Sequence, residues 1–435
     1  MVMRLRIKKN NYIDTILLTM MYLQLVILEF FGYGPILNKI VSMLILFRII
    51  CLKGKQSQVI LMRACGLIVL YVLSSLLSDP LVYTNVWSNF LMQLYPFIYA
   101  YYIYFLCKNR PKYVNSMLEK CFFIFNIVMV INIAVMCIQI ATPYSISAVN
   151  LNDTGNKIIF YEDLISGLFA YSSTHVVCLF TIFVILYNLA YRKKINNPIL
   201  RNILSLYNGM LTVISIFISL NNDNKAFFLL FPLSILVYWF SDASHALRKK
   251  MNRAVLFLCA FPILIAGLYI FVSPFREFLD DNVLRLFDMI HGAVFVGNST
   301  NGSKERISMI YDAITRSSTW LLGTGFGSNH LYKSGYLGYN HFGQADLGAM
   351  LFLGGIWYTV LLFSCYVKMS MGTICGTNRK ANKLLTICVF AILLSTMTYT
   401  QCFTRTNTVT SLMLIILALR LKYQNQLGME QQNKN

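Results

Sequence analysis

Apolar runs of about twenty residues recur along the whole chain, with short polar segments between them. A run of this length crosses the hydrocarbon core of a bilayer when it is helical. The pattern therefore predicts an all-α fold, namely a polytopic membrane protein of about 12 transmembrane helices. The predicted spans are residues 12–31, 36–52, 60–78, 86–107, 121–142, 173–191, 203–220, 226–241, 254–273, 347–367, 384–400 and 407–419.

Lysine and arginine residues collect in every second polar segment. Of the 37 in the chain, 27 fall in the two terminal segments, in alternate segments between spans or near the span ends beside them, and 10 fall on the other side. Cation-rich segments stay on the cytoplasmic side of a membrane. The pattern predicts a multi-pass protein of the cytoplasmic membrane with both termini in the cytoplasm. It also accounts for the net charge of +20 without a nucleic-acid partner.

One polar interval, residues 275–349, is far longer than the others. Apolar positions at helical spacing predict an amphipathic helix near 275–290 and a second near 307–314. Long loops on a rigid scaffold often carry function, so we expect the active site in this loop. The chain then divides into transmembrane helices 1–9 over residues 1–273, an extracytoplasmic loop over 274–346, transmembrane helices 10–12 over 347–420 and a cytoplasmic tail over 421–435.

Three glycines, Gly323, Gly325 and Gly327, interrupt the second half of this loop. One interpretation is a flexible turn between a helix and a re-entrant segment. The other is a stretch of backbone that must approach a ligand closely, which glycine permits. No strand pattern precedes the glycines, so a dinucleotide-binding fold is excluded.

Few cations are predicted on the outer face, and those few need partners there. Arginine offers a fork of donors that matches phosphate oxygens, and lysine offers a point charge. We expect Arg306 and Lys225, with Arg276 as a third candidate, to bind a pyrophosphate group. The alternative, favoured for Arg276, Arg285 and Arg316, is pairing with acidic side chains of the loop or with lipid headgroups.

Three side chains late in the loop are candidate catalytic bases: His341, Asp346 and His330. His341 and Asp346 flank the point where the chain re-enters the bilayer, where a base would meet a lipid-linked substrate. Histidine and aspartate can both take a proton from an attacking hydroxyl group. The alternative for each histidine is a hydrogen-bonded surface position.

The 11 cysteines lie mostly within or beside apolar runs, and no C-x-x-C motif occurs. Cysteines in such positions usually act as small hydrophobic side chains. The sequence therefore indicates neither a disulfide framework nor a zinc site. We expect no metal and no cofactor.

The end of the loop resembles the O-antigen polymerase and ligase superfamily, which includes the Wzy-type oligosaccharide repeat unit polymerases. The resemblance lies in the stretches KERISMIYDAITRSSTWLLGTGFGSN and ADLGAMLFLGGIWYTVLLF and in the twelve-span order with a long loop before the tenth span. Two departures stand out: Lys225 occupies a turn where the family often has Ser-Arg, and Gln344 stands where related members often have a histidine. The positions that match the family order are Arg306, Leu322, Gly323, Thr324, Gly325, Asp346, Gly354 and Gly355.

The resemblance implies a metal-independent membrane glycosyltransferase of polysaccharide biosynthesis, acting on O-antigen (lipopolysaccharide) or capsule. Its substrates would be two polyprenyl-pyrophosphate-linked oligosaccharides, such as undecaprenyl pyrophosphate glycans. The terminal hydroxyl group of one attacks the anomeric carbon of the other, and polyprenyl pyrophosphate leaves. The partners implied are these glycans, membrane lipids, a chain-length regulator and a flippase.

Two alternatives stay open at this point. A ligase of the same superfamily would move a finished glycan to a lipid core or a protein, and the sequence does not separate the acceptors. A flippase or secondary transporter would carry charged or broken helices at the membrane midplane and mostly short loops. This chain has few deeply placed charges, no internal repeat and its largest polar segment outside the spans, which favours outward-facing chemistry.

Overall fold

The computed structural model describes most of the chain, and its ordered elements there are α-helices with two short 3-10 turns and no strand. The two turns cover Arg192–Lys194 and Phe326–Ser328. The described residues are 2–23, 34–52, 57–78, 84–142, 164–169, 174–222, 226–241, 320–328, 345–376 and 383–432, with isolated positions between 252 and 315.

Eleven α-helices run through these described ranges, and each overlaps one of the predicted spans. The predicted span 254–273 falls where only isolated positions are described, and these are helical. The helices are α1 Val2–Leu23, α2 Gly34–Cys51, α3 Gln58–Ser75, α4 Thr84–Asn109, α5 Pro111–Ala141, α6 Thr174–Tyr191, α7 Pro198–Asn221, α8 Phe227–Phe240, α9 Asp346–Cys375, α10 Lys383–Tyr399 and α11 Thr406–Gln432.

Local sequence signals account for where several helices begin. Pro111 and Pro198 each stand at the start of a helix, where a missing backbone N–H costs nothing. Asn197 precedes α7, and its side chain accepts a hydrogen bond from the backbone N–H of Ile199 at 2.9 Å. These starts separate α4 from α5 and α6 from α7 by only a few residues.

Six helices, α3 to α7 and α9, are long and apolar enough to cross a membrane. The helices α8 and α10 are also apolar but shorter. In the most apolar stretch of α6, 83% of the residues are buried inside the bundle. In the corresponding stretches of α3, α5 and α7, the buried share is 28% each. Their exposed residues include large apolar side chains such as Met62, Phe123 and Leu206. Such a surface belongs in lipid, so the protein is a helical membrane protein.

The helix bundle has two distinct ends. The helices α4 and α9 run in the same direction, because Gln93 bonds to Tyr358 and Tyr104 lies against Gly372 further along both helices. We call the end where α9 begins the Asp346 end. We call the opposite end, where the guanidinium group of Arg420 on α11 donates to the backbone oxygen of Thr373 at 2.7 Å, the Arg420 end.

A buried ionic network joins α1, α2 and α4 at the Arg420 end. Asp14 on α1 is fully buried. Its carboxylate accepts hydrogen bonds from Arg48 Nε at 2.8 Å and Nη2 at 3.1 Å, from Arg110 Nη1 at 2.7 Å and from the Tyr102 hydroxyl group at 2.9 Å. A buried carboxylate is costly unless it is paired and hydrogen-bonded in this way. The network therefore fixes how three helices meet.

Candidate functional site

The residues predicted to form the site divide into two groups. Asp346, Arg276 and the glycines at 323, 325 and 327 are described by the structure. Four other candidates lie outside the described residues, namely Lys225, Arg306, His330 and His341. Asp346 and the three glycines lie where the polar loop joins the helix bundle.

The glycine-rich turn at 320–328 is hydrogen-bonded to a break in α9. The break is at Gly355, whose φ of 69° and ψ of −176° interrupt the helix. Before it, the backbone oxygens of Phe352 and Leu353 accept from the N–H groups of Thr324 and Gly325, each at 2.9 Å. Broken helices are tolerated in a membrane only where their backbone groups find other partners. Here the glycine turn supplies those partners.

Two further hydrogen bonds are made to the backbone of α9 at this break. After the break, the N–H group of Ile356 donates to the oxygen of Trp320 at 3.0 Å. The hydroxyl group of Ser74 on α3 also donates to the oxygen of Leu353, at 2.6 Å. The turn and α9 thus satisfy one another's backbone groups inside the bundle.

Glycine is required at several of these positions because two stretches of backbone approach closely. Gly325 has a φ of 94°, and a Cβ atom there would lie 2.7 Å from the Ser74 oxygen and would collide with the Ser78 hydroxyl group. Gly323 has a φ of 77°, and its Cβ would lie 2.7 Å from the Gly354 nitrogen. Contacts this short do not occur for real side chains. The close approach that the glycines allow is made to α3 and α9.

Phe326 anchors the turn among aromatic side chains. Its ring stacks on Tyr71 of α3 at a centroid distance of 4.0 Å and meets Tyr358 of α9 edge-on at 4.9 Å. Asn89 on α4 donates to the Phe326 backbone oxygen, and the next N–H group, that of Gly327, donates to a serine hydroxyl group on the end of α3 at 2.9 Å. Three helices therefore hold the turn, and its residue 328 precedes the stretch that contains His330 and His341.

Asp346 is fully buried at the start of α9. One carboxylate oxygen accepts from the Thr404 hydroxyl group at 2.9 Å, and the other accepts from the backbone N–H of Phe403. Its own N–H group donates to the Thr400 oxygen at 3.2 Å. Asp346 therefore binds the turn between α10 and α11 to the start of α9. Both of its oxygens thus accept hydrogen bonds from this turn, and the side chain has almost no exposed surface.

Replacing Asp346 with asparagine is expected to lower the thermal stability of the protein. An amide has one acceptor oxygen where the carboxylate has two, so one bond to the turn at 403–404 is lost. Losing a buried charged hydrogen bond costs roughly 1.5–3 kcal/mol. Asp280→Asn is the matched control, because Asp280 is exposed and accepts one bond from Tyr269. If Asp346→Asn slows catalysis about a hundredfold or more with unchanged melting, Asp346 is the base and not an anchor.

Arg276 makes local contacts at the end of the isolated helical positions. Its Nε and Nη2 groups donate to the backbone oxygens of Tyr269 at 3.0 Å and Ile270 at 2.8 Å, and its guanidinium group lies 5.5 Å from the Tyr269 ring centroid. The side chain is exposed. Part of its hydrogen-bonding capacity is thus used by backbone carbonyl groups, a partner that the sequence did not suggest.

The sequence analysis did not single out a second polar junction, between α5 and residues 164–169. Asn132 and Gln139 on α5 accept hydrogen bonds from the backbone N–H groups of Leu168 at 2.7 Å and Gly167 at 2.8 Å. The two side chains are buried and seven residues apart, so they share one helix face. Two amide residues at that spacing in an apolar run are the signal that could have revealed this junction.

A small pocket lies close to this junction, between α5, α6, α7 and α8. Its lining includes the polar side chains of Thr181, Ser215, Ser219 and Asn222. Asn222 is also bonded to the backbone of residue 165 at 3.4 Å. The space in this pocket is about that of one water molecule, so the pocket belongs to the polar packing between these helices.

His175, at the start of α6, was also not among the predicted site residues. Its Nε2 atom lies 3.1 Å from the Thr408 hydroxyl group on α11. Thr408 follows the turn that Asp346 binds, so His175 belongs to the Asp346 end. A histidine at the start of an apolar run is the sequence signal for it.

Within the described residues, no group of three or more His, Cys, Asp or Glu side chains could hold a metal ion. No protein-family model matches the chain, and no curated protein matches it either.

Proposed function

We propose that the chain is a polysaccharide polymerase, a glycosyltransferase that joins polyprenyl-pyrophosphate-linked oligosaccharide repeat units at the outer face of the cytoplasmic membrane. In this proposal twelve spans cross the membrane, both termini are cytoplasmic and residues 274–346 form the outer loop. The Asp346 end is then the outer end. The cation-rich Arg420 end, with Arg48, Arg110 and Lys194, is then cytoplasmic, as the positive-inside rule requires.

One observation carries the proposal: the glycine turn of the polar loop is bonded to the break of α9. A broken helix is also expected of a transporter, but the backbone groups freed by this break are bonded to the loop and to Ser74. The stretch that contains His330 and His341 begins after Ser328 and ends before Ala345, and both of these residues belong to parts held by the bundle. A loop tied to a rigid scaffold at both ends can present its side chains with the accuracy that group transfer needs.

The reaction needs three contributions from the protein. A base takes the proton of the acceptor hydroxyl group as its oxygen forms a bond to the anomeric carbon, and the bond from that carbon to the pyrophosphate oxygen breaks. We assign the base to His341, with His330 and Asp346 as the other candidates. We assign stabilisation of the charge on the leaving pyrophosphate to Arg306 and Lys225, with Arg276 as a third candidate.

Reporter fusions test the proposed topology. Fusions at about residue 310 should report the outer side, and fusions at about 197 and 375 should report the cytoplasm. The reason is the distribution of Lys and Arg, 27 against 10. Alkaline phosphatase and a fluorescent protein that folds only in the cytoplasm serve as opposite reporters. A cytoplasmic signal at 310 contradicts both the topology and the function.

Deleting the protein from its host tests the reaction. We expect single repeat units on the lipid carrier or on the acceptor, with no ladder of longer chains. A transporter defect would instead leave the units on the inner leaflet, and a ligase defect would leave long chains on the carrier. Either of those two patterns contradicts the proposal.

A further inference from the structure

Arg420 is a buried cation to which the proposed function assigns no role. It lies on α11 with an exposed fraction of 0%. Its Nη1 group donates to the Thr373 backbone oxygen at 2.7 Å. Its Nε and Nη2 atoms have no hydrogen-bond partner among the described residues, and neither has the Thr373 hydroxyl group. Two donors of one guanidinium group and a neighbouring hydroxyl group are therefore unsatisfied in one place.

Acidic side chains are scarce in the helices that meet at Arg420. After Asp346, which lies at the other end of α9, the only acidic residue of the chain is Glu430, and α4 contains none. The ion pairs of the described residues use Asp14 and Glu119, and Arg420 takes part in none of them. An unpaired buried charge is costly in a protein interior, so an anion from outside the chain would stabilise this part of the protein.

The Nε and Nη2 atoms of Arg420 form one edge of its guanidinium group. In arginine, this edge can donate to both oxygens of a single anion. Nε and Nη2 point the same way and make a two-pronged donor that matches a carboxylate or a phosphate. The protein uses this same edge elsewhere, because Nε and Nη2 of Arg48 donate to the two oxygens of Asp14 at 2.8 and 3.1 Å. Arg420 presents the corresponding edge without a carboxylate.

Gly376, which ends α9, lies directly beside the guanidinium group. A Cβ atom there would lie 3.3 Å from Nη1 and 3.8 Å from Nη2 of Arg420. Its φ of 60° also favours glycine. Two further cations lie at this end of the bundle: Lys108 in the last turn of α4, and Lys422 two residues after Arg420 on α11.

We propose that Arg420, with Gly376 and the Thr373 hydroxyl group, forms a phosphate-binding site at the Arg420 end of the bundle. The ligand is a phosphate group, carried by an anionic phospholipid headgroup or present as a free ion. The phosphate accepts from Nε and Nη2 of Arg420 and from the Thr373 hydroxyl group. This site lies at the opposite end of the bundle from the proposed catalytic loop and does not depend on the polymerase assignment.

The test measures binding to the full-length protein in detergent. Phosphatidylglycerol in mixed micelles and inorganic phosphate are titrated separately, and binding is followed by thermal unfolding and by native mass spectrometry. The wild type should bind one phosphate-bearing ligand tightly, and Arg420→Gln should bind it at least tenfold more weakly. Arg420→Lys should recover only part of the affinity, because lysine keeps the charge and loses the fork.

Lys194→Gln is the matched control. Lys194 is a cation at the same end of the bundle, but it pairs with Glu119. The affinity of this variant for the phosphate-bearing ligand should equal that of the wild type. Binding of phosphatidylglycerol that inorganic phosphate does not displace assigns a lipid headgroup. Binding of inorganic phosphate alone assigns a free ion. If Arg420→Gln does not fold, the wild type and Arg420→Lys are compared. The proposal is overturned if the wild type binds neither ligand, or if the Arg420 variants and the wild type bind with equal affinity.

Discussion

Arg306→Ala is expected to abolish long polysaccharide chains while the protein still inserts into the membrane. In the proposed topology Arg306 belongs to the outer loop, on the side that the positive-inside rule keeps poor in cations. Removing a cation that stabilises the charge on the leaving pyrophosphate costs about 100- to 1,000-fold in rate for comparable sites. The measurement is the length distribution of the polysaccharide on a gel, together with the amount of protein in the membrane.

Two variants decide whether the geometry or only the charge of Arg306 matters. Arg306→Lys should restore little of the ladder, because lysine cannot make the two parallel bonds of a guanidinium group. Arg285→Ala is the control, since we expect Arg285 to pair with acidic side chains or lipid headgroups, and its ladder should be normal. A normal ladder from Arg306→Ala removes Arg306 from the mechanism.

Gly325→Ala is expected to destabilise the protein and to abolish activity at the same time. A left-handed backbone costs about 1–2 kcal/mol for a residue with a Cβ, and forcing extra atoms into a packed site costs about 1–3 kcal/mol, so we expect a loss of roughly 2–5 kcal/mol. The new methyl group would collide with Ser74 at the end of α3 and with Ser78, three residues after that helix. The turn would then separate from the break in α9. Thermal unfolding in detergent measures the stability, and the ladder measures the activity.

Gly209→Ala is the matched control on α7, because a Cβ atom there has no neighbour within 4 Å. Alanine favours a helix over glycine by about 1 kcal/mol, so this variant should be as stable as the wild type or slightly more so. Unchanged melting of Gly325→Ala would show that the turn does not depend on its glycines. Arg306→Ala, in contrast, should lose activity without losing stability.

The helices were predictable from the sequence, because runs of apolar residues have few alternatives in a membrane. The boundaries of α6, for example, agree with the predicted span 173–191 to within a residue. Apolar length does not, however, say which helix lies inside the bundle. The central position of α6 and the peripheral position of α3 depend on packing between helices far apart in the chain.

Tertiary contacts explain what the sequence could not reveal. Arg48 and Arg110 belong to the 27 cations predicted on the cytoplasmic side, and both bond to Asp14, which lies inside the predicted span 12–31. The position of a charge inside a predicted span gives no sign of its partner. Asp346 was predicted as a candidate base. In the structure, its carboxylate oxygens accept hydrogen bonds from Phe403 and Thr404 in the turn before α11. The assignments of His330, His341, Arg306 and Lys225 stay predictions, since these residues lie outside the described parts of the chain.

The contacts of the glycine turn were predictable from the sequence only in part. The pattern at 323–327 predicted either a flexible turn or a stretch of backbone that approaches a ligand closely. The close approach in the structure is made to α3 and to the broken helix α9, and the approach to a ligand stays a prediction. The glycine pair at 354–355 is the other half of the same contact, and the two stretches stand about thirty residues apart in the sequence, so single-sequence spacing could not pair them.

The most direct test uses the purified protein, reconstituted with lipid-linked repeat units and sampled over time for chain length. We expect chains to lengthen without ATP and in the presence of a chelator, because cleavage of the pyrophosphate linkage supplies the driving force. His341→Ala should slow the lengthening by about a hundredfold or more while the protein melts as the wild type does. Repeat units that stay single with the wild-type protein, or chains that lengthen only when ATP is added, would contradict the account.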